Sequence, residues 1–392
     1  MFKFKKNAYD RNELLAALSL ALDLAGWLPL NHATRTAHIA LHIARTMGLR
    51  EAEVQDIYVA VFFHDLELVG TARAEQAKQG VDTQLMNSAP NGIGKFLDEM
   101  PFSPRAGEYV RWHHASWDDV NEQASIPIGA QILRLADLLE LRYDRTRSYD
   151  EQRDEHRSWV WGQSGGALAP AVVEAFFTVS AREKFWLDFT SDRLDINMRD
   201  VQPDLTAQLT QYEVAQVANV FAGIIDSKSR FTYNHSRGVA ALMERLAPRI
   251  LHSEEDIFRL KIAALLHDLG KLAVPTEILD KPGQLTPREF EQIKAHPYYT
   301  KAILGRVKGF EVIKEWAGNH HENIDGSGYP EHKSKLATPE RLMTVADVYQ
   351  ALTEERPYRA ALSTSQALEI MYGMVKQGKL CANAVELLIK VV

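Results

Sequence analysis

Two adjacent histidine-aspartate pairs each end an apolar, helical-looking run: His64-Asp65 in VAVFFHDLELVG and His267-Asp268 in IAALLHDLGKLAV. Imidazole nitrogens and carboxylate oxygens suit divalent first-row metals, and a hydrolytic two-metal site draws on about six to eight of them. Residues 217–392 supply seven candidates, His235, His267, Asp268, His296, His320, His321 and Asp347. Neighbouring side chains on a helix diverge by about 100°, so an adjacent His-Asp pair straddles a site. Such a pair can place its Asp between two ions, which favours a dinuclear arrangement. A lone histidine such as His296 is more often a packed or surface residue than a ligand, and Asp347 alone could be a helix-surface or capping carboxylate. It is the joint occurrence that points to a metal centre.

The elements that must position these residues occur twice. The two pairs are 203 residues apart, and the same offset places His32 on His235 and Asp23 on Asp226. Downstream, His113-His114 answers His320-His321, Asp137 answers Asp347, and GALAPAVVEAFF (Gly166 to Phe177) answers GKLCANAVELLI (Gly378 to Ile389). An internal duplication of about 170 residues explains all five matches, with loop insertions absorbing the drift. The spacing predicts a first domain over 1–179, a helical connector with Trp186 and Phe189 over 180–216, and a second domain over 217–392. Apolar residues recur at three- and four-residue spacing in Val214 to Ile225 and Ile257 to Leu266, and no alternating strand pattern is evident. The expected fold is all-α, built twice, with Gly270 placed to end the His267 helix.

Length and composition agree. At roughly 150 residues per domain, 392 residues predict two or three domains. Lys plus Arg is 45 against 52 for Asp plus Glu, a net charge of −7 that offers no long-range attraction to polymeric nucleic acid or acidic lipid. The single Cys381 excludes an intrachain disulfide and thiolate zinc motifs. The apolar stretch Leu14 to Leu30 is interrupted by Asp23 and Pro29 before the roughly 20 apolar residues a membrane span needs. Its internal counterpart, Val217 to Arg230, marks it as a domain helix. A cytoplasmic protein without a membrane segment is the expectation.

HDLGK (His267 to Lys271), ILDKPGQLT (Ile278 to Thr286), His296-Pro297, HHENIDGSGYP (His320 to Pro330) and ADVYQALTEERPYR (Ala346 to Arg359) follow one another in the second half. Together they resemble the HD-GYP domain, an all-helical branch of the HD phosphohydrolases, over about Val217 to Ile389. The resemblance implies metal-dependent hydrolysis of a cyclic dinucleotide, with cyclic di-GMP ranked ahead of 3′,3′-cGAMP, giving a linear dinucleotide that can be cut again to mononucleotides. It implies that His235, His267, Asp268, His296, His320, His321 and Asp347 bind two divalent ions, iron or manganese, with Asp268 bridging. Lys271 would contact the scissile phosphate, and Arg356 and Arg359 match basic positions for substrate phosphate, where the guanidinium fork suits a phosphodiester. Gly328, Tyr329 and Pro330 form the signature loop, which could touch substrate or recruit a GGDEF-domain protein; a homodimer is also allowed.

Two positions depart from the family pattern. Phe231 stands where some members place a third-metal glutamate, which favours two ions, and Thr300 replaces a glycine. In the first half His32, His64, Asp65 and Asp137 keep the smaller H, HD, D ligand set of the wider HD superfamily. Leu68 stands at the Lys271 position, His296 has no counterpart, and ASWDDV replaces the glycine-rich loop. This half is expected to serve sensing, packing or dimerisation, with a residual metal site at those four residues. The alternatives are an HD phosphohydrolase of another nucleotide and a non-catalytic signalling scaffold.

Overall fold

The computed structural model describes residues 9–23, 31–65, 97–98, 100–101, 103–119, 126–191, 194–203, 208–228, 234–355 and 360–392. Among these residues every extended element is helical, and the only β pairings are isolated bridges, Tyr9 with Leu209 and Ser164 with Leu168. The chain divides into two compact units. One comprises residues 26–207, and the other combines the N-terminal segment with residues 208–392.

The contact units cut the chain elsewhere than the sequence repeat does. Helix α1 (Arg11–Asp23) belongs to the C-terminal unit although the repeat pairs it with the first half. Its apolar stripe of Leu14, Leu15 and Leu18 is buried. Tyr9, just before it, pairs with Leu209 and packs its ring 5.4 Å from Phe310. Burial of that stripe, rather than chain proximity, decides where the helix lies.

In the N-terminal unit α2 (His32–Thr46) packs on α3 (Glu51–Phe63) and on the later helices over Ile128–Arg142 and Pro170–Ser180. Glu53 reaches back to the Arg50 amide at 3.2 Å to cap α3, which then runs apolar to its end at His64. α4 (Ala106–Trp112), α5 (Ile128–Arg142), α6 (Tyr149–Gly162) and α7 (Pro170–Ser180) complete the bundle. The predicted connector begins with α8 (Glu183–Thr190), whose Phe185, Trp186 and Phe189 are buried in this unit. The Trp186 indole donates to the Ser180 carbonyl at 2.9 Å, satisfying the polar edge of the largest buried side chain.

The C-terminal unit continues with α9 (Gln211–Lys228), α10 (His235–Leu246) and α11 (Glu254–Leu266). Ser253 caps α11, with three acidic residues in its first turn facing the positive helix end. After His267-Asp268 the chain tightens into a 3₁₀ turn over Leu269–Ala273. Then follow α12 (Pro287–Lys294), α13 (His296–Leu304), α14 (Glu311–Gly318), α15 (Thr338–Thr353), α16 (Thr364–Lys376) and α17 (Ala382–Ile389). α11 packs between α9, α10 and α14, and α13 lies against both the 3₁₀ turn and α14. Four helix ends and the middle of α15 thereby meet over one spot.

Gly270 is needed for a reason other than the helix-ending one expected. It does not adopt a left-handed conformation; a Cβ built on it would stand 1.9 Å from the His296 carbonyl oxygen and 2.8 Å from the Thr300 amide nitrogen. Close backbone approach of the turn to α13 demands the glycine.

Candidate metal centre

Four of the five histidines of the C-terminal set are fixed from behind. His267, His296 and His320 direct Nδ1 at the carbonyl three residues earlier, Ala264 at 2.8 Å, Ile293 at 2.7 Å and Ala317 at 2.6 Å. A carbonyl only accepts, so Nδ1 carries the proton and Nε2 is left with its lone pair. His235 is held differently: its Nδ1 faces Glu354 at 3.0 Å, and Gln350 steadies that carboxylate at 2.6 Å. Asp226 accepts from the Ser236 amide and hydroxyl, pinning the first turn of α10 where His235 sits.

The freed nitrogens converge on two carboxylates. Asp268, 2% exposed, turns Oδ2 toward His267 at 3.3 Å and His235 at 3.8 Å, and Oδ1 toward His296 at 3.3 Å and His320 at 3.7 Å. Asp347 places Oδ1 3.0 Å from His235 and Oδ2 3.8 Å from His321. Two ligand groups result, His235-His267-Asp268 and His296-His320-His321, each with candidate atoms within 4.8 Å of one another. All seven residues singled out by sequence thus meet at one place.

The arrangement fits divalent metal. The Nε2 atoms of His296 and His320 lie 3.1 Å apart, two lone pairs with nothing between them unless a proton or a cation is shared. His267 Nε2 and Asp268 Oδ1 are buried without a hydrogen-bond partner among the described residues, a costly state that ligation would relieve. Burial pushes the His321 imidazole down to about 3, against the pull of Asp347. It also holds His320 well below its usual range, together with the surrounding imidazoles. Both are then in the neutral form that binds a metal. Burial disfavours charge on His235 too, but its bonds to Asp347 and Glu354 outweigh it and carry that imidazole up to about 10. Asp268 stays well below the ordinary carboxylate range because His267 and Lys271 overcome the burial cost.

Lys271 Nζ lies 2.6 Å from Asp268 Oδ2, at the partly exposed rim. Thr300 does more than fill the family's glycine position. Its hydroxyl accepts from the Gly270 amide at 2.9 Å and donates to the His267 carbonyl at 3.0 Å, tying α13 to the His-Asp turn. In the signature loop Gly326 takes the left-handed conformation. Gly328 is instead wedged where a Cβ would strike the backbone of His321, Glu322 and Asn323. Buried Glu322 accepts from the amides of Glu331 and Lys333 and closes the loop. Tyr329 lies over His321, ring centres 4.9 Å apart, and its peptide bond to Pro330 is cis. Arg356, Arg359, Phe231 and Leu68 lie outside the described residues.

The N-terminal unit repeats the design with fewer groups. His32 Nε2 lies 3.2 Å from His64 Nε2 and 3.4 Å from Asp65 and Asp137, and His64 donates Nδ1 to Val61 at 2.7 Å. His32 Nδ1 meets Glu140 at 2.5 Å. Burial raises the Asp65 carboxyl, whereas Asp137 is held well down by His32 and His64 despite burial. His113 packs its ring 5.5 Å from that of His64 with Nδ1 on the Val110 carbonyl.

Glu354 and Glu140 were missed by sequence reasoning, yet a signal existed. Each stands one or two helical turns after the Asp ligand, at i+7 from Asp347 and i+3 from Asp137, on the face that meets the first histidine. Glu354→Gln is expected to weaken metal binding 10- to 100-fold, the typical cost of losing a carboxylate behind a ligating imidazole. Chelator competition would measure it, and unchanged affinity would deny Glu354 that part.

An HD-domain family profile matches residues 219–381 and another HD-domain profile matches residues 30–142. The chain is 29% identical to 3′3′-cGAMP-specific phosphodiesterase 1 of Vibrio cholerae serotype O1, over 95% of this chain and 90% of that protein. It is 27% identical to 3′3′-cGAMP-specific phosphodiesterase 3 of the same organism, over 93% and 91%. The cyclic di-GMP phosphodiesterase PA4108 of Pseudomonas aeruginosa is 37% identical over 38% of this chain and 36% of its own. A crystal structure of a cyclic GMP-AMP specific phosphodiesterase from V. cholerae, V-cGAP3, shares the fold with a TM-score of 0.65 at 23% identity, covering 98% of each chain. The chain belongs to the HD-domain family and carries the domain twice, the second copy with the motifs of the HD-GYP branch.

Proposed function

We propose that the protein is a metal-dependent phosphodiesterase that opens a cyclic dinucleotide second messenger to its linear form. One observation carries the reading: Asp268 turns one oxygen to each of two histidine groups, the disposition of a carboxylate that bridges two ions. His235, His267, Asp268, His296, His320, His321 and Asp347 would hold two divalent ions, iron or manganese, and Phe231 offers no ligand for a third ion. Bound ions of this kind supply Lewis acidity and make water a usable nucleophile at neutral pH. Lys271, at the rim 2.6 Å from Asp268, would supply a cation for the non-bridging oxygens of the cleaved phosphate. Arg356 and Arg359 are assigned to phosphate by the RPYR motif. Residues 217–392 carry the catalytic groups and 1–179 form a regulatory or structural domain, apart from α1, which packs in the C-terminal unit; 180–216 are the connector, whose α8 packs in the N-terminal unit. His32, His64, Asp65 and Asp137 would hold a single residual ion in the first. No helix among the described residues is long and apolar enough to cross a membrane, which supports a cytoplasmic enzyme; a GGDEF-domain protein at the GYP loop and a second copy of this chain are partners left to test.

Among substrates we place 3′,3′-cGAMP first and cyclic di-GMP second. The two V. cholerae relatives that align along both halves bear the cGAMP name, whereas the P. aeruginosa cyclic di-GMP enzyme aligns over little more than a third of the chain. Turnover of both dinucleotides, followed chromatographically on metal-loaded protein, tests this. Faster loss of 3′,3′-cGAMP is expected; preference for cyclic di-GMP would reverse the order, and failure to cleave either would remove the proposed activity.

A further inference from the structure

Helix α12 carries an aromatic ring that the core does not account for. Phe290 is 46% exposed. A single exposed ring is ordinary, but this one continues a series that starts in the metal centre. Tyr329 lies over His321, and Phe290 meets Tyr329 edge-on, with ring centres 6.5 Å apart at 79°. Lys294 follows Phe290 by four residues, hence on the same helix face. It holds Nζ 5.5 Å from the Phe290 ring centre and 5.8 Å from that of Tyr329. Its one close carboxylate among the described residues is Glu291 at 2.7 Å, an exposed pair one turn back that ties it weakly. The helix beneath is well anchored. Thr286 and Glu289 form a capping box, and Lys281 pairs with Glu289 at 2.7 Å.

We propose that Phe290, Tyr329 and Lys294 form a shelf in which one purine of the substrate stacks on the exposed Phe290 ring, with Tyr329 edge-on to that ring as a side wall and Lys294 beside both, an inference that rests on the cyclic dinucleotide reading above. The shelf adjoins His321, so a nucleotide with its phosphate at the metal centre has this surface as an immediate neighbour. Two rings make a patch too small for a protein partner but of the right size for one base. Lys294 adds the positive charge that an anionic ring with a second, uncut phosphate calls for. Stacking uses the π face common to all bases, so the shelf contributes affinity for a purine without choosing between guanine and adenine.

Steady-state kinetics on full-length, metal-loaded protein test the shelf with both 3′,3′-cGAMP and cyclic di-GMP. Phe290→Ala is expected to raise KM for the two substrates alike by about tenfold or more, with kcat within about twofold and metal content unchanged. Phe290→Trp, which keeps a stacking face, is expected to hold KM near the wild-type value. Lys294→Gln is expected to raise KM and flatten its dependence on salt. An unchanged KM in Phe290→Ala would overturn the shelf, as would a fall in kcat accompanied by metal loss, which marks a structural prop. Wild-type protein that cleaves neither dinucleotide would overturn the underlying function and the shelf's occupant with it.

Discussion

Replacing Asp268 with asparagine is expected to abolish cyclic dinucleotide hydrolysis and to lower bound metal, whereas Asp65→Asn leaves turnover within about twofold of wild type. Asparagine keeps the shape of the side chain but removes its charge and replaces one oxygen with a donor. It can then no longer face His267 and His235 with one lone-pair oxygen and His296 and His320 with another. Losing several kcal/mol of transition-state charge stabilisation costs on the order of 10³-fold in rate or more. Lys271 loses its partner at 2.6 Å as well. Asp65 belongs to the smaller N-terminal cluster, where neither a counterpart of His296 nor one of Lys271 exists. Metal analysis beside the kinetics separates loss of ions from loss of chemistry. A dead Asp65 variant with an active Asp268 variant would reverse the assignment of the two domains.

Gly270→Ala is expected to damage the same centre without touching a ligand. A Cβ there would lie 1.9 Å from the His296 carbonyl oxygen and 2.8 Å from the Thr300 amide nitrogen, and both obstacles are backbone. α13 must therefore move away from the 3₁₀ turn, taking His296 from Asp268 and breaking the two hydrogen bonds of Thr300. Overpacking of this kind costs about 1–3 kcal/mol or more, a fall in Tm of roughly 2–12 °C for a unit of this size. Turnover is expected to fall by more than tenfold, in line with the sensitivity of catalysis to misplacements of about 1 Å. Gly373→Ala is the control. Nothing lies within 4 Å of a Cβ at that helical position, so alanine should be neutral or stabilise by up to about 1 kcal/mol. Calorimetry on both variants would check this, and a wild-type Tm and metal content in Gly270→Ala would contradict the close-approach explanation.

The ligand set was legible because it is written in local pairs and repeated offsets. His64-Asp65 and His267-Asp268 recur with matching distances to His32 and His235, and such spacing survives whatever the loops do. The all-helical fold followed from periodicity, which the apolar faces of α9 and α11 obey. What escaped were long-range assignments. Nothing local says that α1 covers the C-terminal unit, since an apolar stripe specifies only that it be buried. Glu354 and Glu140 looked like ordinary helix-end carboxylates until the fold brought His235 and His32 to them. Gly270 read as a helix terminator, because sequence shows a glycine but not whether φ or space requires it. Phe290 was hidden for a similar reason, as one ring in an otherwise polar segment acquires meaning only from Tyr329 and His321 beside it.

The most direct test sets a cyclic dinucleotide against a phosphate monoester on the same metal-loaded preparation, with products resolved by chromatography. Conversion of 3′,3′-cGAMP or cyclic di-GMP to its linear dinucleotide, faster than release of phosphate from the monoester and lost in Asp268→Asn, is the expected result. Faster turnover of the monoester, or dinucleotide cleavage that survives Asp268→Asn, would contradict it.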